Sequence, residues 1–356
     1  MAHTFSPNLD SDLEYEYRWR LAKLFDYIEF LGVSHWGENP ALSLPALYVP
    51  LRLTDRPIGA KSVETESIFI GEALENNRHI VVLGDPGSGK STLIKLLAYS
   101  FACPDPTPLG QRLGAHIPIP IILKDYDVRS WLCYQDMLRD FIARQMPAEV
   151  RGRITVDWLE TAIKTGRAIV LLDGLDEVGD KSTRTDLRNN VIFPLLWNAP
   201  KSLVVSTSRI VGYDEAPISD MFKVSGQELN KWLQSFASDE EVLLSKDVDV
   251  TIGGSVRIEA KSYYIAPFDD EGINDFARRW YGLRELDIVR CEENITAFLS
   301  AIRQNERTRI LAASPRLLTM MALIYRIGAD LPSGRIKLYD KIVETYLITL
   351  QDYKKI

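Results

Sequence analysis

Three short stretches of this 356-residue chain carry residue types at spacings that do chemistry. The first runs Gly84, Asp85, Pro86, Gly87, Ser88, Gly89, Lys90, Ser91, Thr92. Its glycines let the backbone turn tightly, so that successive N–H groups point inward. Lys90 adds a point charge and Ser91 a hydroxyl suited to Mg²⁺. The pattern G-x-x-x-x-G-K-S therefore implies a cradle for nucleotide phosphates. The second stretch is Leu171-Leu172-Asp173-Gly174-Leu175-Asp176-Glu177. Asp173 is placed to support Mg²⁺ opposite Ser91. Asp176 or Glu177 would orient or deprotonate an attacking water. The third is Val205-Ser206-Thr207-Ser208-Arg209, whose arginine would reach a γ-phosphate and tell ATP from ADP by one charge-assisted contact. Each stretch also has a plainer reading: a fortuitous glycine turn, a solvated acidic loop, an exposed arginine. Their succession along one chain favours the chemical reading.

Such groups converge only if the elements beneath them place them on one edge. His79–Leu83, Ile117–Leu123, Arg167–Asp173 and Ser202–Ser206 are apolar runs expected to be buried strands. Helical periodicity is expected between them, at Ser91–Phe101, Ser130–Gln145 and Val156–Thr165. Strands apolar throughout and alternating with helices imply a parallel sheet covered on both faces. In such sheets ligands bind at the carboxyl edge, where all three stretches fall. Upstream, Leu13–Leu31 has the spacing of an amphipathic helix, Ala46–Leu53 that of a short strand and Ser67–Asn77 that of a helix. From Phe268 onward only helices are expected: Asp269–Tyr281, Glu292–Gln304, Arg307–Ala313, Pro315–Arg326 and Arg335–Tyr353. Gln227–Lys261 fits neither part. It holds an acidic run and then TIGGSVRIEA, which alternates like a hairpin.

GDPGSGKST, LLDGLDEV and STSRIVGY, in this order on successive strand ends, resemble the NACHT family, a branch of the STAND signalling NTPases among the wider AAA+ relatives. Gly174 directly after Asp173 and the acids at 176 and 177 are similar to that family's D-G-x-D-E arrangement; typical AAA+ motors place Glu at once after the metal-holding Asp. IAPFDDEGINDFARRWY, LAASPRLLTMMALIYR and LPSGRIKLYDKIVETYL resemble the family's later helical segments. Tyr48-Val49-Pro50-Leu51 resembles the strand preceding its phosphate loop. The resemblance implies a P-loop α/β domain over 45–226, a helical domain over 263–334 and the start of a winged helix over 335–356, with a helix and linker over 1–44 and an insertion over 227–262. It also implies that Glu177 activates water, with Asp176 its rival, that Arg209 senses the γ-phosphate, and that Pro315 touches the base. The implied ligands are ATP or ADP with Mg²⁺. The implied function is a slow ATPase used as a switch, closed with ADP and open with ATP, self-associating on activation in innate-immune or antiphage signalling. Sensor or effector domains would lie in a longer protein or on a partner chain. No counterpart of the family's inhibitory histidine is found.

Composition narrows the field. The net charge of -7 and the absence of a basic tract argue against nucleic acid as the default partner. No apolar run is long enough for a membrane span, no secretory signal opens the sequence, and three scattered cysteines show no metal spacing. The expected address is the cytoplasm. The rival reading is a conventional P-loop enzyme, a kinase or nucleic-acid motor. It would need an acceptor pocket or a basic track with interleaved aromatics, and neither is found. His3, His35, His79 and His116, Arg18-Trp19-Arg20 and Met320-Met321 are read as packing or surface residues.

Overall fold

The computed structural model describes residues 9–28, 42–57, 66–104, 107–223, 248–251, 255–326, 330–332, 334–341 and 343–344. Its strands, in chain order, are β1 Tyr27–Ile28, β2 Leu42–Ser43, β3 Arg52–Thr54, β4 Ser67–Phe69, β5 His79–Leu83, β6 Ile117–Ile122, β7 Ala168–Asp173, β8 Leu203–Ser208, β9 Ser219–Lys223, β10 Val248–Thr251, β11 Ser255–Glu259 and β12 Lys261–Ile265. Seven of them form one mixed, mostly parallel sheet in the order β4-β3-β12-β5-β8-β7-β6. The run from β12 to β6 is parallel throughout. Strands β5, β7 and β8 are buried along their whole length, as a sheet covered on both faces requires.

Strand β6 carries Pro118 and Pro120, which cannot donate to a ladder, and it lies at the sheet's edge. The helix Leu9–Phe25 binds there. Tyr17 Oη donates to the Pro118 carbonyl at 2.5 Å, its ring edge-on to Phe141 and Trp158. Arg18 donates to the carbonyls of Phe101, Ala115 and His116. Packing, as read from the sequence, is thus what Arg18 does. His79, buried in β5, sits 3.1 Å from the Ala199 carbonyl through Nε2, and His116 likewise 2.9 Å from that of Leu113.

The described residues fall into two compact units, interleaved along the chain. One draws on Met1–Ala22, Leu53–Asp85 and Lys90–Tyr264, the other on Lys23–Arg52, Pro86–Gly89 and Ile265–Ile356. The first unit holds the sheet chemistry. The second has its own core, in which Phe276, Trp280, Tyr281, Phe298, Leu318 and Met321 pack together. Arg284 lies 3.9 Å over the Trp280 ring. No helix among the described residues is long and apolar enough to cross a membrane.

Several elements differ from the sequence reading. The first helix ends at Phe25, and Tyr27–Ile28 then pairs with Leu42–Ser43 instead of continuing it. Ala46–Leu53 splits into a helical turn, Leu44–Leu47, and β3, because Pro50 between them lacks the N–H a strand needs. Ser67–Phe69 is strand, and the helix starts at Ile70, where Glu72 accepts the Phe69 N–H at 2.8 Å. A helical run between β7 and β8, Lys181–Leu187 and Phe193–Asn198 joined by a π turn, has no counterpart in the sequence reading. The helix expected from Glu292 begins at Ile288, because the Asp287 carboxylate caps the N–H groups of Val289 and Arg290. The hairpin expected at 251–260 is present as β10 and β11, with β9 added on the far side of β11. Residues 227–247 and 252–254 of the insertion, and 342 and 345–353 of the last expected helix, lie outside the described residues. Beyond Phe268 the described elements are helical, as expected.

Candidate functional site

The site is built on the carboxyl ends of β5, β8 and β7. Register places Leu83 opposite Ser208 and Leu172 opposite Ser206, so the three strands end together. At about 4.8 Å between strands, β5 and β7 stand about 10 Å apart, a span suited to a chain of phosphates and a cation. The Gly84 N–H extends the ladder to the Ser208 carbonyl at 3.3 Å. The chain then turns through Gly87 (φ 84°) and Gly89 (φ 101°), a left-handed conformation that side-chain-bearing residues resist. The helix Lys90–Ala102 follows at once and directs the positive end of its dipole at the loop.

Lys90 folds back over the turn. Its Nζ donates to the carbonyls of Gly84 at 2.6 Å and Asp85 at 3.0 Å. Burial pulls this ammonium below the ordinary lysine range; Asp176 and Asp173 draw it part of the way back. Ser91 is exposed and Thr92 half-buried. The Ser88 hydroxyl is buried without a hydrogen-bond partner among the described residues. Pro86–Gly89 belong to the second unit, where the Gly87 carbonyl accepts the Arg316 N–H at 3.2 Å and the Ser314 hydroxyl at 3.4 Å. Pro315, between those two, opens the helix Pro315–Arg326.

The two candidate acids have different surroundings. Asp176 is only 9% exposed, and Arg209 occupies its carboxylate: the Arg209 N–H reaches Oδ1 at 2.8 Å and Nε lies 3.0 Å from Oδ2. Gly212 makes room for it, since a Cβ there would stand 2.4 Å from that of Asp176. Arg184 Nη1 holds the Asp176 carbonyl at 3.1 Å. Glu177 is 40% exposed, with Lys124 Nζ at 3.9 Å from Oε2. Its side chain lies against Gly174, where an added Cβ would meet the Glu177 Cδ at 3.4 Å. Gly174 itself is left-handed (φ 85°).

Asp173 is buried at the end of β7. Thr207 Oγ1 donates to its Oδ1 at 2.6 Å and accepts the Gly174 N–H at 2.9 Å. Thr207, Lys124, Arg184 and Gly212 were not singled out from the sequence. Thr207 alone left a signal there, as a hydroxyl in the strand end facing an acidic one.

The residues fit a nucleotide with Mg²⁺. The turn is one that only glycines relax into, an orphaned hydroxyl lies in it, and a lysine rests on its carbonyls. Among the described residues no cluster of three or more His, Cys, Asp or Glu is arranged to hold a metal. A cation held by Ser91 and Asp173 would take its remaining ligands from phosphate oxygens and water. No protein-family model matches the chain, and no curated protein matches its sequence.

Proposed function

We propose that this chain binds ATP and ADP with Mg²⁺ and works as a signal-transduction switch of the NACHT type, with slow hydrolysis that resets it. One observation carries the reading. The left-handed glycine turn that leads into Lys90 follows β5, and Asp173 and Arg209 stand at the carboxyl ends of β7 and β8, the strands in register beside it. In this reading the loop N–H groups and Lys90 bind the β- and γ-phosphates. Ser91 and Asp173 hold Mg²⁺, which when bound neutralises charge building on the phosphate oxygens. Glu177 activates water, because the Asp176 carboxylate is taken up by Arg209. Pro315 borders the base.

Arg209 supplies the switching element. Its guanidinium is half exposed and paired with Asp176. A γ-phosphate competes for it, and ADP brings none. A charge-assisted contact worth about 1.5–3 kcal/mol, made with ATP alone, shifts a two-state ratio on the order of 10- to 100-fold. That is enough to bias an open, self-associating state, in innate-immune or antiphage signalling, with sensor or effector parts elsewhere.

The test is nucleotide content and affinity. Purified protein, denatured and resolved by ion exchange, is expected to release ADP, and Lys90→Ala to abolish that content and weaken ATP binding at least 10-fold. Unchanged affinity in Lys90→Ala overturns the assignment.

A further inference from the structure

We propose that Thr207 is a positioning residue that fixes which oxygen of Asp173 faces the cation, and that it makes the site select Mg²⁺ over Ca²⁺. The inference rests on the nucleotide–Mg²⁺ reading above. It starts from proton bookkeeping. A threonine hydroxyl has one proton and two acceptor lone pairs. The Gly174 N–H, at 2.9 Å, can only donate, so it occupies a lone pair of Thr207 Oγ1. The single hydroxyl proton is then directed to Asp173 Oδ1, at 2.6 Å. Asp173, Gly174 and Thr207 close a three-membered clamp between the ends of β7 and β8.

The clamp is stiff. Thr207 is fully buried and β-branched, on a central strand whose neighbours Ser206 and Ser208 are also buried. Gly174 turns left-handed immediately after, so the chain leaves the strand there with its N–H on the Thr207 hydroxyl. Asp173 is 5% exposed, and a buried carboxylate needs its oxygens satisfied. Oδ1 gives one lone pair to the Thr207 proton, and Oδ2 is the oxygen with both lone pairs open to a cation or its water.

One free oxygen has a consequence for metal choice. Ca²⁺ takes six to eight oxygens and commonly a carboxylate through both; Mg²⁺ takes six in a tight octahedron, keeps water, and uses carboxylates through one. A carboxylate with one oxygen already accepting a hydrogen bond favours the one-oxygen mode that Mg²⁺ uses over the bidentate grip that Ca²⁺ commonly takes.

The test measures ADP and ATP affinity by fluorescence titration in Mg²⁺, in Ca²⁺ and in EDTA, for the full chain and for Thr207→Val, Thr207→Ser and Asp173→Asn. Losing the hydroxyl in Thr207→Val is expected to cost 10-fold or more of the Mg²⁺-dependent gain, as partners of metal ligands typically do. It should narrow the Mg²⁺-to-Ca²⁺ ratio and leave affinity in EDTA at the parent value, because the proposed role of Thr207 runs through the carboxylate that faces the cation. Thr207→Ser restores the parent pattern, and Asp173→Asn removes the gain with no further loss in the double variant. Thr207→Ala serves if the valine variant does not fold. A Thr207 variant that is less stable but keeps the parent Mg²⁺ gain and Mg²⁺-to-Ca²⁺ ratio overturns the proposal and leaves the nucleotide reading standing. A parent chain that binds no nucleotide in any medium overturns both.

Discussion

Adjacent acids in one turn, Asp176 and Glu177, are expected to fail in different ways when neutralised. Asp176→Asn keeps an oxygen for the Arg209 N–H but removes the charge facing Nε at 3.0 Å. Arg209 is 52% exposed, so water screens much of that pairing. The loss is about 1 kcal/mol, roughly five-fold in any step that depends on the placement of Arg209. If Glu177 activates water as proposed, Glu177→Gln removes a general base, an effect of about 10²- to 10⁴-fold on the chemical step. The structure ties Glu177 to Lys124 and Gly174 and not to the loop, so ATP affinity should stay within a few-fold of the parent. Single-turnover γ-phosphate release, with protein in excess of labelled ATP, separates the two. Glu177→Gln is expected to bind ATP and hold it; Asp176→Asn is expected to bind slightly less well and still turn over. If Asp176→Asn arrests release while Glu177→Gln proceeds within a few-fold of the parent, the roles are reversed and the reasoning from carboxylate occupancy is refuted.

Two further outcomes follow from the same unit. Gly212→Ala forces a Cβ to within 2.4 Å of the Asp176 Cβ, so the turn carrying Arg209 must shift. A cost of about 1–3 kcal/mol is expected, read as a drop of several degrees in the thermal midpoint, and an unchanged midpoint would show that the turn yields freely. His116 sets a pH dependence. Burial pushes its imidazole below the ordinary value of 6.5, with Arg78 and Arg18 adding to the shift and the carbonyls of Leu113 and Gly166 opposing it. The unfolded chain therefore takes up this proton at a higher pH than the folded one. The contribution is fully present above 6.5 and is lost as pH falls from there toward the folded value. The urea midpoint should decline between pH 7 and pH 5, and less steeply in His116→Gln; parallel declines would remove His116 as the cause.

The strands beneath the site were legible because each carries a short apolar run, and the loop because its glycines and lysine have few other uses together. Strand β12 was not. Lys261, Ser262 and two tyrosines alternate without a clear apolar face, and what recruits them is the open side of β5, a partner 181 positions upstream. The helical run at 181–198 was hidden by a polar first turn and by Pro194, which the π turn before it accommodates. The resemblance put Glu177 ahead of Asp176 as the acid acting on water; what the sequence did not show is that Gly212 and Arg209, more than thirty residues on, pack against Asp176. Interleaving of the two units along the chain leaves no compositional trace, because each segment is individually ordinary.

The partners of β5 set a timetable for synthesis. His79–Leu83 pairs on one side with β8 and on the other with β12, so His79 waits for Val204, about 125 residues later, and Ile80 waits still longer for Lys261. At about 5–20 residues per second, an entirely apolar strand and its glycine loop spend roughly 6–25 s outside the ribosome before either flank can be covered. During that interval the strand has the character of an aggregation-prone segment. The nascent chain therefore passes through a window in which the strand is made but the sheet that covers it is not.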